Sequence, residues 1–176
     1  HNVLNALAVI AVCHLNWLDM AEVSQFISGF DGVDRRFTDC GYTPSGARVI
    51  VDYAHHPKEI SATIDTVSLM TKGRIIAVFE PHTYSRTKAL LTEFADSFYW
   101  VDDLIILPTY GARESESEGI GGDKLAKYIN KNGEGALYLP DYKSAREYVQ
   151  NNATARDIVV VLGAGSVNTL GSMLTK

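Results

Sequence analysis

Four compact apolar runs constrain this 176-residue chain more than any other feature: Arg48–Tyr53 (RVIVDY), Arg74–Phe79 (RIIAVF), Asp103–Leu107 (DLIIL) and Asp157–Leu162 (DIVVVL). A strand with one wet face alternates apolar and polar residues. These runs do not alternate, so both of their faces must be covered. Between them lie helical stretches at Pro57–Met70, Arg86–Tyr99, Asp123–Asn132 and Lys143–Asn151. Strand and helix in this alternation predict an α/β domain built on an open, doubly wound, mostly parallel sheet flanked by helices. Ligands bind such sheets outside the carboxyl ends of the strands, so the strand ends are where chemistry is expected.

Ahead of the first run the pattern differs. Asn2–Leu15 is apolar nearly all round, which predicts a helix buried against neighbours. Ala21–Phe30 predicts a second helix, with Val23, Phe26, Ile27 and Phe30 on one side. FDGVDRRF then reads as a connection between units. The chain opens at His1 inside a helical pattern, as the cut edge of a longer chain would. The run Val3–Cys13 is broken by Asn5 and is too short to span a bilayer. A net charge of −5 with both signs interspersed argues against a nucleic acid or membrane partner. Cys13 and Cys40 fit no metal or redox spacing and read as reduced thiols of a cytoplasmic protein.

The strand ends carry polar residues of a particular kind. The first closes on VDYAHHPKEI, where Pro57 suits the first turn of a helix and sets His56 in an extended, cap-like conformation. The helix start would offer an anion site, with His55 and His56 beside it. Asp52 is placed as an acceptor for ribose hydroxyls or, equally, as a turn cap. The second strand ends in EPHTYSRTK, crowding His82, Tyr84, Ser85, Arg86 and Lys88 into a turn. The third supplies a long loop, Leu107–Asp123, with Tyr110, Arg113 and Glu114. Loops of that length are usually functional. Three adjacent strand ends bearing His, Tyr, Arg or carboxylate predict one shared cleft. LGAGS (Leu162–Ser166) lacks the third glycine of a dinucleotide fingerprint and predicts only a tight strand-to-helix turn.

HNVLNALAVIAV, GVDRRF, DYAHHPKE and PHTYSRT, in this order, resemble the Mur ligase family over essentially the whole chain. The resemblance is strongest to members that add L-alanine to UDP-N-acetylmuramate in peptidoglycan precursor synthesis. It implies that residues 1–35 are the tail of a central ATPase domain and residues 36–176 a C-terminal, Rossmann-like α/β domain. The missing N-terminal and central domains would be partners of this one. It implies ATP and Mg2+ as cofactors of a full-length enzyme, with none held tightly by this piece, which alone is expected to be inactive. No GxxxxGK[ST] phosphate loop occurs here.

By the same resemblance Asn2, Asn5, Arg36 and Asp52 would bind ATP, at adenine, phosphates and ribose respectively for the asparagines, the arginine and the aspartate. Tyr53, His55, His82, Arg86, Tyr110, Arg113 and Glu114 would line the pocket for the muramyl substrate and the incoming alanine. Thr83 stands where many members have arginine, which shifts charge neutralisation toward Arg86. No residue is expected to hold a metal, and the catalytic groups would lie in the absent domain. Three other readings compete: a ligase that attaches a recovered tripeptide to the same acceptor, a stand-alone nucleotide- or anion-binding regulatory module, and a metal-dependent hydrolase on His55, His56 and His82.

Overall fold

A computed structural model describes residues 2–30, 33, 35–116, 119–133 and 135–176, without the side chain of Asn2. His1, and Asp31, Gly32 and Asp34 of the expected connection, lie outside the described residues. The chain divides into two compact units, His1–Val33 and Asp34–Lys176.

The first unit holds α1 (Asn2–Leu15) and α2 (Met20–Ser28). Asp19 caps α2 by accepting from the backbone N–H of Ala21 at 2.7 Å. Both helices form where expected, yet α1 is not buried: Val3, Leu4, Leu7, Val9, Val12 and Leu15 are all exposed. The apolar sequence supports the helix, but within this unit only α2 packs on it. An all-round apolar helix normally lies inside a core.

The second unit is a six-stranded sheet between two helical layers. In chain order it comprises β1 (Thr38–Tyr42), β2 (Arg48–Asp52), α3 (Pro57–Ser68), β3 (Ile75–Phe79), α4 (Tyr84–Ala89), α5 (Leu91–Asp96), β4 (Asp103–Ile106), α6 (Gly122–Lys131), β5 (Ala136–Tyr138), α7 (Tyr142–Asn152), β6 (Ile158–Leu162) and α8 (Asn168–Leu174). The spatial order is β1-β2-β6-β3-β4-β5. All neighbouring pairs are parallel except the antiparallel β1 on β2. The register sets Val160 of β6 between Ile50 of β2 and Ala77 of β3.

Side-chain alternation divides each strand between two cores. Ile50, Ala77, Phe79, Ile106, Val160 and Leu162 face α3, α5 and α6, meeting Ile60, Ile64, Phe94, Leu125 and Ile129. Val49, Val51, Ile76, Val78, Ile105, Val159 and Val161 face α7 and α8, meeting Ala145, Val149, Leu170 and Leu174. Each fully buried Val, Ile, Leu or Phe contributes about 1.5–3 kcal/mol, so covering both faces fixes the strand ends firmly. This is why the runs read as continuously apolar.

Three local features depart from the expectation. The helix expected over Arg86–Tyr99 is broken at Leu90, whose φ is −117°, into α4 and α5. The break keeps Arg86 at the rim while Phe94 turns inward to Phe79, ring centroids 5.5 Å apart. The edge strands β1 and β5 carry no strong apolar run: β1 is bulged between Asp39 and Gly41, and β5 has three residues.

After β3 the chain steps outward to β4 and β5, and α7 then returns it on the opposite face to β6. The exits of β3 and β6 therefore diverge, opening a crevice at their carboxyl ends. Among the described residues no helix is long and apolar enough to cross a membrane.

Candidate functional site

A row of four rings runs along that rim, drawn from three strand ends. Tyr53 meets His55 edge-on with centroids 5.2 Å apart, His55 meets His82 edge-on at 5.8 Å, and His82 stacks on Tyr110 at 5.6 Å. The last contact rests on backbone: Tyr110 donates to Pro81 O at 2.8 Å, and Thr83 donates to Tyr110 O at 2.9 Å. That parallel bridge extends the β3–β4 pairing past the strands and fixes the start of the long loop.

Two arginines close one end of the row. Arg35 and Arg36 lie over the Tyr53 ring at 4.8 and 5.3 Å from its centroid. Arg35 Nη2 also donates to Gly165 O at 2.7 Å, and the Arg35 carbonyl accepts from Tyr53 N–H at 2.6 Å. Arg35 thus joins the β2 and β6 exits. Arg35 and Phe37 both have positive φ, +64° and +53°, which turns the intervening Arg36 outward, where it is exposed. Asp52 is buried: Oδ1 accepts from Ala54 N–H at 2.8 Å and Oδ2 from Phe37 N–H at 3.0 Å. Burial pushes its carboxyl up, against the pull of those two N–H groups, the Arg36 charge and Thr63. The turn-cap reading of Asp52 is the one seen in these contacts.

The expected anion site at the start of α3 is filled by the chain itself. His56 is the N-cap, its Nδ1 accepting from Lys58 N–H at 3.3 Å. Glu59 reaches back so that Oε2 accepts from the N–H groups of His55 and His56 at 3.1 and 3.2 Å. A helix N-terminus attracts an anion, and here the anion is a side chain three residues on. Burial alone would raise the Glu59 carboxyl. The His55 N–H and ring, the His56 N–H and Arg36 together hold it below its ordinary value.

Glu80, only 4% exposed, lies in the crevice between β3 and β6. It accepts from the Tyr142 hydroxyl, whose oxygen is also 2.9 Å from Ser166 Oγ, and from Val167 N–H at 3.4 Å. Burial raises its carboxyl, opposed by those hydrogen bonds and the Arg35 charge. Tyr142 is pushed up to about 12 by burial and by Glu80. Gly165 must be glycine, because a Cβ there would run into Glu80 Oε1 and lie 2.8 Å from Tyr110 Cγ.

Arg86, on α4, lies close enough to His82 for its charge to act on that ring. After β3 and β4, His82 Nδ1, Arg86 Nη1 and Thr109 Oγ1 are buried without a hydrogen-bond partner among the described residues. Burial, then the positive charges of Arg86 and His55, lower the His82 pKa. Glu114 does not point along the row. It accepts from Ser85 N–H at 2.8 Å and from the Ser85 hydroxyl, tying the loop to the start of α4. Arg113 is exposed and makes no hydrogen bond or ion pair among the described residues. Asn5 is exposed on α1, and the Asn2 side chain lies outside what is described.

The structure therefore brings Arg36, Tyr53, His55, His82 and Tyr110 along one rim, with Arg86 in the turn that follows His82. The sequence reading passed over Arg35, Glu59, Glu80 and Tyr142. For Glu59 a signal existed, a glutamate three residues after a cap. No group of three or more His, Cys, Asp or Glu among the described residues could hold a metal ion.

An open α/β sheet whose rim carries four rings and the Arg35–Arg36 pair is the frame on which the family can be read. Residues 35–165 match the family described as Mur ligase, glutamate ligase domain, and the chain belongs to the Mur ligase family. It is 43% identical over 171 residues to the UDP-N-acetylmuramate–L-alanine ligase of Caldanaerobacter subterraneus subsp. tengcongensis, covering 97% of this chain and 37% of that protein. It is 40% identical over 176 residues to the enzyme of the same name from Acetivibrio thermocellus, covering 100% and 37%. Among solved structures it is similar to the UDP-N-acetylmuramate–alanine ligase MurC of Thermotoga maritima, with 26% identity, a TM-score of 0.78, and coverage of 99% and 36%. The murein peptide ligase Mpl of Psychrobacter arcticus shares the fold at a TM-score of 0.75 and 22% identity, covering 99% of this chain and 36% of its own. The chain thus spans a little over a third of the length of these relatives.

Proposed function

We propose that this chain is the C-terminal part of an ATP-dependent ligase that joins L-alanine to UDP-N-acetylmuramate through an acyl phosphate. Residues 1–35 are then the tail of the central ATPase domain, and residues 36–176 the C-terminal α/β domain. The ring row, with Arg36 at its Tyr53 end and Arg86 near His82, carries this reading. Negative charge develops on the phosphoryl oxygens and on the tetrahedral carbon's oxygen, and fixed donors aimed at such oxygens lower the barrier most. The arginine forks suit phosphate or carboxylate.

In this reading Arg36, turned outward by its neighbours, takes ATP phosphate oxygens, and Asn2, Asn5 and Asp52 serve the nucleoside. Tyr53, His55, His82, Tyr110 and Arg86 hold the muramyl acyl donor and the incoming amine, with Arg113 reaching in from the loop. The unpartnered His82 Nδ1, Arg86 Nη1 and Thr109 Oγ1 support this, because buried polar atoms are normally satisfied and a guest would satisfy these. The exposed apolar face of α1 supports a covering body of further chain. Mg2+ would enter with the nucleotide phosphates, and no step here depends on a metal cluster of this chain.

The test is an assay of the full-length protein with ATP and UDP-N-acetylmuramate, offering L-alanine or a tripeptide as amine. Alanine-dependent ADP release is expected. Turnover with the tripeptide alone would replace this reading by the recycling ligase.

A further inference from the structure

We propose that Glu59 is a positioning residue for the amine side of the cleft, a role that rests on the ligase reading above. Its carboxylate, with the Tyr53 carbonyl, holds the His55 imidazole with its proton on Nδ1, so that the Nε2 lone pair is presented to a primary amine. His55 Nδ1 lies 3.0 Å from Tyr53 O, an atom that can only accept. It also lies 3.3 Å from Glu59 Oε2. The Tyr53 carbonyl requires the proton on Nδ1, and the carboxylate beside it favours the proton on the same side, since the tautomer of a histidine is set by the bond its other nitrogen makes.

Glu59 cannot swing away from this duty, because the same Oε2 takes the N–H groups of His55 and His56 at 3.1 and 3.2 Å. Its other oxygen lies 3.9 Å from Arg36 Nη1. One carboxylate therefore links the arginine proposed for phosphate to the imidazole proposed for the amine. The recorded hydrogen bond of the His55 ring is made by Nδ1, and its side chain is 21% exposed, which leaves Nε2 for a ligand. The adjacent His56 does the opposite. Its Nδ1 accepts from Lys58 N–H, which leaves the proton of the neutral ring on Nε2. Two neighbouring histidines are thus locked in opposite tautomers, one as a helix cap and one as an acceptor.

Long-range 15N–1H spectra of the protein, taken where both rings are neutral, read the tautomers directly. The expected result is Nδ1–H at His55 and Nε2–H at His56. Glu59→Ala leaves Tyr53 O as the one acceptor at Nδ1 and is expected to give His55 a detectable share of the Nε2–H tautomer. In the full-length enzyme it is expected to raise KM for the amine about tenfold, the size of effect seen when an orienting partner of a ligating histidine is lost. KM for ATP should stay within about twofold, since Arg36 itself remains. Glu59→Gln keeps an acceptor oxygen for both N–H groups and should restore the wild-type tautomer. A wild-type His55 protonated at Nε2 overturns the proposal, and so does an unchanged tautomer in Glu59→Ala. Where Glu59→Ala does not fold, the wild-type spectrum and Glu59→Gln decide. The expected tautomers in an enzyme with no amine-dependent turnover would overturn the ligase reading alone.

Discussion

His82 and Tyr110 stack with their ring planes 23° apart because a backbone bridge, not the rings, sets their separation. Tyr110 donates to Pro81 O and accepts from Thr83 N–H, so the loop after β4 starts as an extension of the sheet. The ring stack adds to a placement that is already made.

Tyr110→Ala should therefore leave the bridge and remove only the ring contact. An aromatic pair of this kind contributes about 0.5–1.5 kcal/mol beyond its buried area. Urea unfolding should show a loss in that range with an unchanged m-value. A loss of several kcal/mol would mean that the ring, not the bridge, holds the loop.

Thr83 has φ of +67° and ψ of 138°, a conformation that a β-branched residue adopts only under constraint. It is held there by its N–H on Tyr110 O and by Thr87, whose N–H and hydroxyl donate to its carbonyl. Such strain costs about 1–3 kcal/mol. Thr83→Gly should raise stability by about 1 kcal/mol or more while lowering the activity of the full-length enzyme, because His82 loses its stiff neighbour. Denaturant midpoints check the first half, and a lowered midpoint would show that no strain is stored at this turn.

Burial raises the Glu80 carboxyl above its ordinary value of 4.5. The folded form then binds this proton more tightly than the unfolded form. The contribution of Glu80 to stability is complete below pH 4.5 and is lost as pH rises through the folded value. Glu80→Gln removes that dependence and keeps groups able to bond Tyr142 and Val167. The stability of the wild type relative to the variant should therefore fall from acid to neutral pH. Parallel stability curves for the two proteins would contradict it.

Arg35 and Arg36 are neighbours with different duties. Arg35 holds Gly165 and Tyr53, whereas Arg36 is exposed and only 3.9 Å from Glu59 as its ion pair. Arg35→Ala should destabilise by about 1–3 kcal/mol, since it removes a charged hydrogen bond to the β6 exit. Arg36→Ala should change stability by less than about 0.5 kcal/mol, as exposed substitutions usually do. It should instead weaken ATP use by the full-length enzyme. Thermal melts and KM for ATP, measured on both variants, distinguish the two residues.

The four central strands could be read from the sequence because each is covered on both faces. Val49, Val51, Ile76, Val78, Val159 and Val161 serve one core, and their alternate neighbours serve the other. The edge strands could not. Thr38–Tyr42 has one partner and a bulge, and Ala136–Tyr138 leaves Leu137 and Tyr138 exposed. Apolar patterning measures burial, and edges have little of it. The rings of the rim were legible because each follows directly on a strand. Tyr142 was not, because it reaches Glu80 from the helix that returns on the far face. The order of strands in space has no local signature at all. Nor did the helix Asn2–Leu15 betray that its apolar side chains would stand exposed.

The strand at the centre of the sheet, β6, is the last of the six in chain order. Until residues 158–162 arrive, β2 and β3 have no common neighbour, and the chain holds two ribbons with open backbone edges. Pairings so distant along the chain close late, so the sheet is joined only once β6 has been made. A stop codon a few residues before Ile158 would yield not a trimmed domain but two unjoined, aggregation-prone halves.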